Sequence, residues 1–208
     1  MRWHLLERLD GRLKSGGMRL FSQECRDFYR GIAMKIERYP YFGSMDPRKY
    51  ELIYAITRML RPVSVIETGV AAGVSSSIIL QALRRNGLGN LTSVDAGLPN
   101  FDGITLTVPI GFVVPEECRD RWRLVIGLTR EELPKLLADE IHIDLFLHDS
   151  DHSYSNMSWE FEFAWRVLAK RGLLIADNVE LNSAFEDFVE RIGCPAATIH
   201  GLGVAVKS

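Results

Sequence analysis

The chain has 208 residues, enough for one well-packed α/β domain and too few for two comfortable ones. Apolar content of 47% and charged content of 25% are ordinary globular values, and a net charge of −2 argues against a nucleic-acid-binding surface. Three dispersed cysteines, Cys25, Cys118 and Cys194, form neither a disulfide framework nor a zinc pattern, which points to a reducing cytoplasm; no apolar run reaches membrane-spanning length, and the charged N-terminus is no signal peptide.

Residues 1 to about 40 read as peripheral helices. Leu5, Leu6, Leu9 and Leu13 make one apolar stripe, broken at Gly16-Gly17; Phe21, Cys25, Phe28, Tyr29, Ile32 and Ile36 make a second. The aromatic turn Tyr39-Pro40-Tyr41-Phe42-Gly43 follows. Such helices pack on a core, cap a pocket or form a homodimer surface. We take residues 1–45 as an N-terminal helical extension and residues 46–208 as the main domain. Asp46-Pro47 is a helix start, an N-cap acceptor followed by proline at the first helical position, and Tyr50, Ile53, Tyr54, Thr57 and Leu60 line the face behind it. Arg61-Pro62 ends that helix.

The segment 63–76 organises the rest. A β-branched run reads as a buried parallel strand closed by Glu67; a glycine turn and a Ser-rich start then lead into an apolar helix that stops at Asn86-Gly87. A strand, a glycine turn and a helix N-terminus make a site for a nucleotide-like ligand. The spacing Glu67-x-Gly69-x-x-x-Gly73 departs from the dinucleotide fingerprint, which has three glycines inside the turn. A second strand, 90–95, ends in Asp95, where nucleotide folds put a carboxylate for ribose hydroxyls.

Residues 97–118 lack periodicity and are rich in glycine and proline, as functional loops are, although 110–115 is apolar enough to pack. Residues 122–127 read as strand three; Thr129 reads as the N-cap of the next helix, with Glu132 as its capping-box partner and Leu133, Leu136 and Leu137 as the buried face. Residues 141–148 read as strand four, emptying into Asp149-Ser150-Asp151-His152. A helix carrying Met157, Phe161, Ala164, Trp165 and Leu168 stops at Gly172, and strand five, 173–176, ends in Asp177-Asn178. His142 and His148 read as strand or surface residues. A further helix buries Phe185, Phe188, Val189 and Ile192, and the chain closes with two short strands across Gly201-Leu202-Gly203.

In an open parallel sheet, ligands bind beyond the carboxyl ends of the strands. Glu67, Asp95, Asp149 and Asp177-Asn178 therefore share one edge. Asp149, Asp177 and Asn178 form an all-oxygen set suited to a hard divalent cation such as Mg²⁺, and His152 could take the proton of a substrate hydroxyl.

Glu67 to Gly73 resembles the first motif of class I S-adenosylmethionine-dependent methyltransferases, with Ala71 where that motif carries its middle glycine. Asp149-Ser-Asp-His152-Ser-Tyr, a helix, then Arg171-Gly172-Leu-Leu-Ile-Ala-Asp177-Asn178 looks like the small-molecule O-methyltransferase branch, closest to the type 24 domains grouped with macrocin- and cephalosporin-pathway enzymes, and is similar to catechol-type enzymes that bind Mg²⁺ or Ca²⁺. The resemblance covers residues 47–208. It implies a Rossmann-like, doubly wound α/β sheet, mostly parallel with a C-terminal antiparallel hairpin. It implies S-adenosyl-L-methionine as donor, held by Glu67, Thr68, Gly69, Gly73, Ser75, Asp95, Gly127 and Asp149, and Asp149, Asp177 and Asn178 as metal ligands. His152 and Asp149 would be catalytic. The lysine base of the catechol-type enzymes has no counterpart here, where Asp151-His152 stands. A nicotinamide-dependent oxidoreductase and a non-catalytic donor-binding protein are the alternatives.

Overall fold

Apolar residues that alternate along the strands decide the architecture, because successive side chains of a strand point to opposite faces of its sheet. The computed structural model describes residues 15–37, 45–98, 100–101, 104–105, 108–138 and 142–208. The stripe at Leu5 to Leu13, the aromatic turn at 39–43 and Ile141 lie outside them. Helix α1 (Ser15–Ile36) and α2 (Pro47–Leu60) precede β1 (Ser64–Thr68), α3 (Val74–Asn86) and β2 (Asn90–Asp95). A separate hairpin, β3 (Asn100–Phe101) and β4 (Ile104–Thr105), and a 3₁₀ turn lead to β5 (Trp122–Ile126). Then come α4 (Thr129–Leu136), β6 (Ile143–His148), α5 (Tyr154–Val167), β7 (Leu168–Ala176), α6 (Ala184–Ile192), β8 (Ala196–Ile199) and β9 (Leu202–Val206).

Seven strands form one sheet in the order β5-β2-β1-β6-β7-β9-β8. All pair in parallel except β9, which runs antiparallel to both neighbours. Val65, Leu145, Leu147, Leu173 and Ile175 face α1, α2 and α3, together with Cys25, Ile53 and Ile79. Ile66, Phe146, Leu174 and Ala176 face α4, α5 and α6, with Leu133, Phe161 and Phe188. The sheet is thus covered by helices on both sides, as expected of a doubly wound fold. Among the described residues no helix is long and apolar enough to cross a membrane.

Several local expectations need correction. Gly16-Gly17 lie in the first turn of α1, and the stripe they were expected to break lies outside the described residues. Leu128, not Thr129, is the N-cap of α4, and a leucine offers no side-chain acceptor to cap it; the Glu132 carboxylate accepts from Lys135 at 2.7 Å. Gly172 is not a helix stop: α5 passes directly into β7 at Leu168, which pairs with Ile143. The closing turn is His200-Gly201, both with positive φ (53° and 75°), the primed geometry that matches strand twist, and Leu202 and Gly203 belong to β9. Val113 and Val114 do pack, fully buried, and the amides of Gly111 and Val113 donate to Ala71 O at 2.8 Å and Ala72 O at 3.1 Å.

One buried polar network ties β1, β6 and α5 together. Glu160 Oε2 accepts from Thr68 Oγ1 at 2.6 Å and lies 2.7 Å from His148 Nδ1, while its Oε1 accepts from Ser150 Oγ at 2.8 Å and Asn156 Nδ2 at 3.1 Å. His148 is therefore an interior residue rather than a surface one. Burial alone would push the Glu160 carboxyl up, but the hydrogen bonds led by His148 outweigh it and hold the group below its ordinary value. Stability from this shift is present above the unfolded value and lost as pH falls through the lower folded one. Replacing Glu160 by Ala strands its buried partners, so chemical denaturation should show a loss of about 3–5 kcal/mol at pH 7. The deficit should shrink when the melts are repeated below about pH 4, where the unfolded carboxyl takes up its proton.

Candidate functional site

The sheet does not end where its strands do. Gly69 N donates to Val94 O, Gly127 N to Asp95 O, Asp149 N to Thr68 O and Asp177 N to His148 O, all within 2.8–2.9 Å. Neighbouring strand ends lie about 4.8 Å apart, so Asp95, the glycine loop, Asp149 and Asp177 form one row along the carboxyl edge. The row straddles β1 and β6, the point where strand order reverses and where such sheets bind ligands.

Gly69, at φ +80°, makes this row compact. A Cβ on it would stand 1.9 Å from the backbone oxygen of Asp149, so only glycine lets the two loops touch. Ala71 adopts φ +48°, the left-handed conformation a glycine takes without strain. The loop is held in that shape from outside. Asp95 Oδ2 accepts from Val70 N at 2.8 Å and Ala71 N at 3.1 Å, and Oδ1 accepts from Gly97 N at 2.8 Å.

Strand parity separates the other predicted residues. Glu67 points toward α3 and accepts from Ser76 Oγ at 2.5 Å and Ser93 Oγ at 2.6 Å. Burial pushes its carboxyl up against these hydroxyls and that of Ser75. Thr68 points the other way, to Glu160. Both side chains are fully buried, as Ser75 nearly is, so they form the floor under the loop rather than its surface; Glu67 Oε1 has no hydrogen-bond partner among the described residues. Gly127 follows β5 beside Asp95, flanked by the exposed side chains of Ile126 and Leu128.

The second cluster is built from Asp149, His152, Asp177 and Asn178. Asp149 and His152 keep 24% and 22% of their side chains exposed, and His152 Nε2 lies 3.8 Å from Asp149 Oδ1 with no hydrogen-bond partner. Burial, then the His148 ring at a centroid distance of 5.3 Å, makes His152 less basic than an ordinary imidazole. The Asp149 carboxyl is pushed well above its ordinary range, first by burial, then by Asp177 and Glu67. Sequence reasoning missed the cation that faces them. Lys49 Nζ, from the first turn of α2, donates to Asp177 Oδ1 at 2.6 Å and Asn178 Oδ1 at 3.1 Å, with 8% and 3% of the Lys49 and Asp177 side chains exposed. Two signals pointed to it. Lys49 lies one turn before Ile53 on the buried stripe, and a cation in a first helical turn opposes the helix dipole.

These contacts bear on a metal. Ligand atoms of Asp149, His152 and Asp177 all lie within 4.8 Å of one another. Yet two of the three oxygen ligands expected for a hard cation, those of Asp177 and Asn178, already hold an ammonium. The residues as arranged do not fit the all-oxygen Mg²⁺ site expected from Asp149, Asp177 and Asn178.

A family model described as a methyltransferase domain, type 24, matches residues 66–179. The chain belongs to this methyltransferase family. Membership makes it an enzyme of the class I, S-adenosylmethionine-dependent type and sets the oxidoreductase alternative aside. No curated protein sequence matches the chain. Among solved structures, a methyltransferase from Geobacter sulfurreducens is similar at TM-score 0.66 and 18% identity, over 100% of this chain and 99% of that one. An O-methyltransferase from Bacillus cereus, solved with S-adenosylhomocysteine, is similar at 0.62 and 16%, over 94% and 93%. The O-methyltransferase TomG from Streptomyces achromogenes, involved in tomaymycin synthesis and solved with S-adenosylmethionine, is similar at 0.60 and 15%, over 94% and 91%. These likenesses establish the fold.

The two small residues of the loop should respond oppositely to exchange. Gly69→Ala should cost about 3 kcal/mol or more in a denaturation experiment, from strain and from the clash with Asp149. Ala71→Gly, which relieves left-handed strain while loosening the unfolded chain, should change stability by less than about 1 kcal/mol.

Proposed function

We propose that this methyltransferase transfers the methyl group of S-adenosylmethionine to a hydroxyl oxygen of a small molecule. The observation that carries the reading is the single row of Asp95, the Gly69–Gly73 loop, Asp149 with His152, and Asp177 along the carboxyl edge of the sheet. The loop backbone suits the methionine end of the donor, with Glu67 buried beneath it. Asp95 suits the ribose, and exposed Leu98, Ile126 and Leu128 offer apolar cover for an adenine. Structural relatives solved with this donor or its product support the choice.

The reaction needs an aligned acceptor and little else. The acceptor oxygen attacks the sulfonium methyl in line; the new O–C bond forms as the C–S bond breaks, and its electron pair stays on sulfur. The hydroxyl proton goes to His152 Nε2, whose lowered basicity keeps it neutral and ready at neutral pH. Alignment and exclusion of water supply much of the acceleration. Asp149, whose carboxyl is raised by burial and by Asp177, orients the acceptor and the imidazole. No step runs through a metal.

The assignment of residues 1–45 as an extension to a catalytic domain at 46–208 is part of the proposal. It is supported by the way α1 is tied to α2, with Glu24 accepting from Tyr54 at 2.8 Å and Arg26 paired with Glu51 at 2.9 Å. A cytoplasmic setting fits three free cysteines, of which Cys25 has its thiol pushed up to about 12 by burial.

Calorimetry with S-adenosylhomocysteine and with NAD, followed by mass spectrometry of a panel of phenols and alcohols, tests the reading. Binding of NAD alone would sink it. Asp95→Ala should weaken S-adenosylhomocysteine binding by at least about tenfold, or 1.4 kcal/mol. His152→Gln should lower kcat by about a hundredfold with the donor's affinity nearly unchanged. In the wild type, kcat/KM should hold as pH falls to about 6.5, the ordinary histidine value, and drop only below it.

A further inference from the structure

Lys49 has no role in the chemistry described so far, and its position is costly on two counts. Burial disfavours a charged ammonium, and the N-terminal turn of a helix is the end that repels cations. Asp46 and Pro47 fix that turn, and Arg48 beside Lys49 turns outward to Asp46. Lys49 turns inward instead, across 128 residues of sequence, to Asp177 and Asn178 at the end of β7. A buried pair of this kind adds little stability over apolar side chains of the same size, so packing alone is a weak reason for it. A lysine ammonium carries three N–H donors; Asp177 and Asn178 take two.

We propose that Lys49 is the resident cation of the acceptor site, standing where a divalent metal would otherwise sit, and that its remaining N–H donates to the acceptor oxygen. The proposal rests on the O-methyltransferase reading above and deepens it. As the acceptor's O–H proton leaves for His152, negative charge grows on the oxygen. A fixed ammonium beside it does the electrostatic service that a metal provides elsewhere, without an ion to recruit. Substrate choice follows. A metal with two open positions favours acceptors that chelate through adjacent oxygens, whereas one ammonium donor needs a single hydroxyl. The site is built for monohydroxyl acceptors, and a vicinal diol gains no advantage in it.

Metal titration of the full-length protein tests this without knowledge of the acceptor. MgCl₂, MnCl₂ and CaCl₂ are titrated by calorimetry into the wild type, Lys49→Met and Asp177→Asn. Methionine keeps the packing of the lysine stem while removing its charge. The wild type should show no saturable binding below about 1 mM, weaker than dedicated intracellular sites. Lys49→Met, with its acceptors freed, should bind Mn²⁺ at least about tenfold more tightly than the wild type. One-to-one binding of any of the three ions to the wild type below about 100 μM, lost in Asp177→Asn, would overturn the proposal. So would a folded Lys49→Met with unchanged metal affinity. Should that variant fail to fold, Lys49→Gln replaces it, and the wild-type titration decides independently. S-adenosylhomocysteine binding, measured on the same samples, reports on the donor assignment separately: its absence would remove that assignment and leave the metal result standing.

Discussion

Four backbone hydrogen bonds that continue the sheet past the ends of its strands hold this site together. Each runs from the first loop residue after one strand to a carbonyl in the last two residues of its neighbour, so the loops inherit the spacing of the strands. A loop anchored only by its own turn could drift by more than the tolerance of methyl transfer, for which a displacement of about 1 Å matters. Here Asp149 and Asp177 are fixed at their backbone nitrogens, and the Asp177 carboxyl is held a second time by Lys49.

Alternation along the strands then sorts the side chains beneath the edge. Odd positions of β1 send Glu67 toward α3, where serine hydroxyls surround it; even positions send Thr68 toward α5 and the Glu160 network. The His148 ring at the end of β6 joins that network and also lies edge-on to His152. The buried polar groups therefore lie beneath the carboxyl edge, one network under the glycine loop and the other beside His152. Lys49 reaches in from the helix before β1, so the end of β7 is tied to the first turn of α2 as well as to the sheet.

Most of the fold was legible because each strand carries its own signature. The β-branched run of β1, the acids at the ends of β2 and β7, and the glycine stop of α3 all act over a few residues, and local patterns suffice for them. The antiparallel end of the sheet was legible for the same reason, though its turn proved to be His200-Gly201, where two positive φ angles match the strand twist. Junctions decided by tertiary contact were not legible. The passage from α5 to β7 is set by pairing of Leu168 with Ile143. In the site, Asp149, His152, Asp177 and Asn178 were found because they follow strands in order. Lys49 was not, because its partners stand far away in sequence and a lone lysine in a helix ordinarily reads as solvated surface. The burial of Glu67 was equally hidden, since a strand-end acid gives no sign of which face it takes.

Ala71 carries a consequence of its own. A side chain in left-handed backbone space narrows the range of shapes open to the loop, and Asp95 from one side and Gly111 and Val113 from the other close off most of what remains. Little ordering is then left for an arriving ligand to impose, and ordering is a main cost of association. A protein so prepared should recognise its partner much as a rigid mould does, with nearly the same loop before and after, and its affinity set by fit rather than by adaptation.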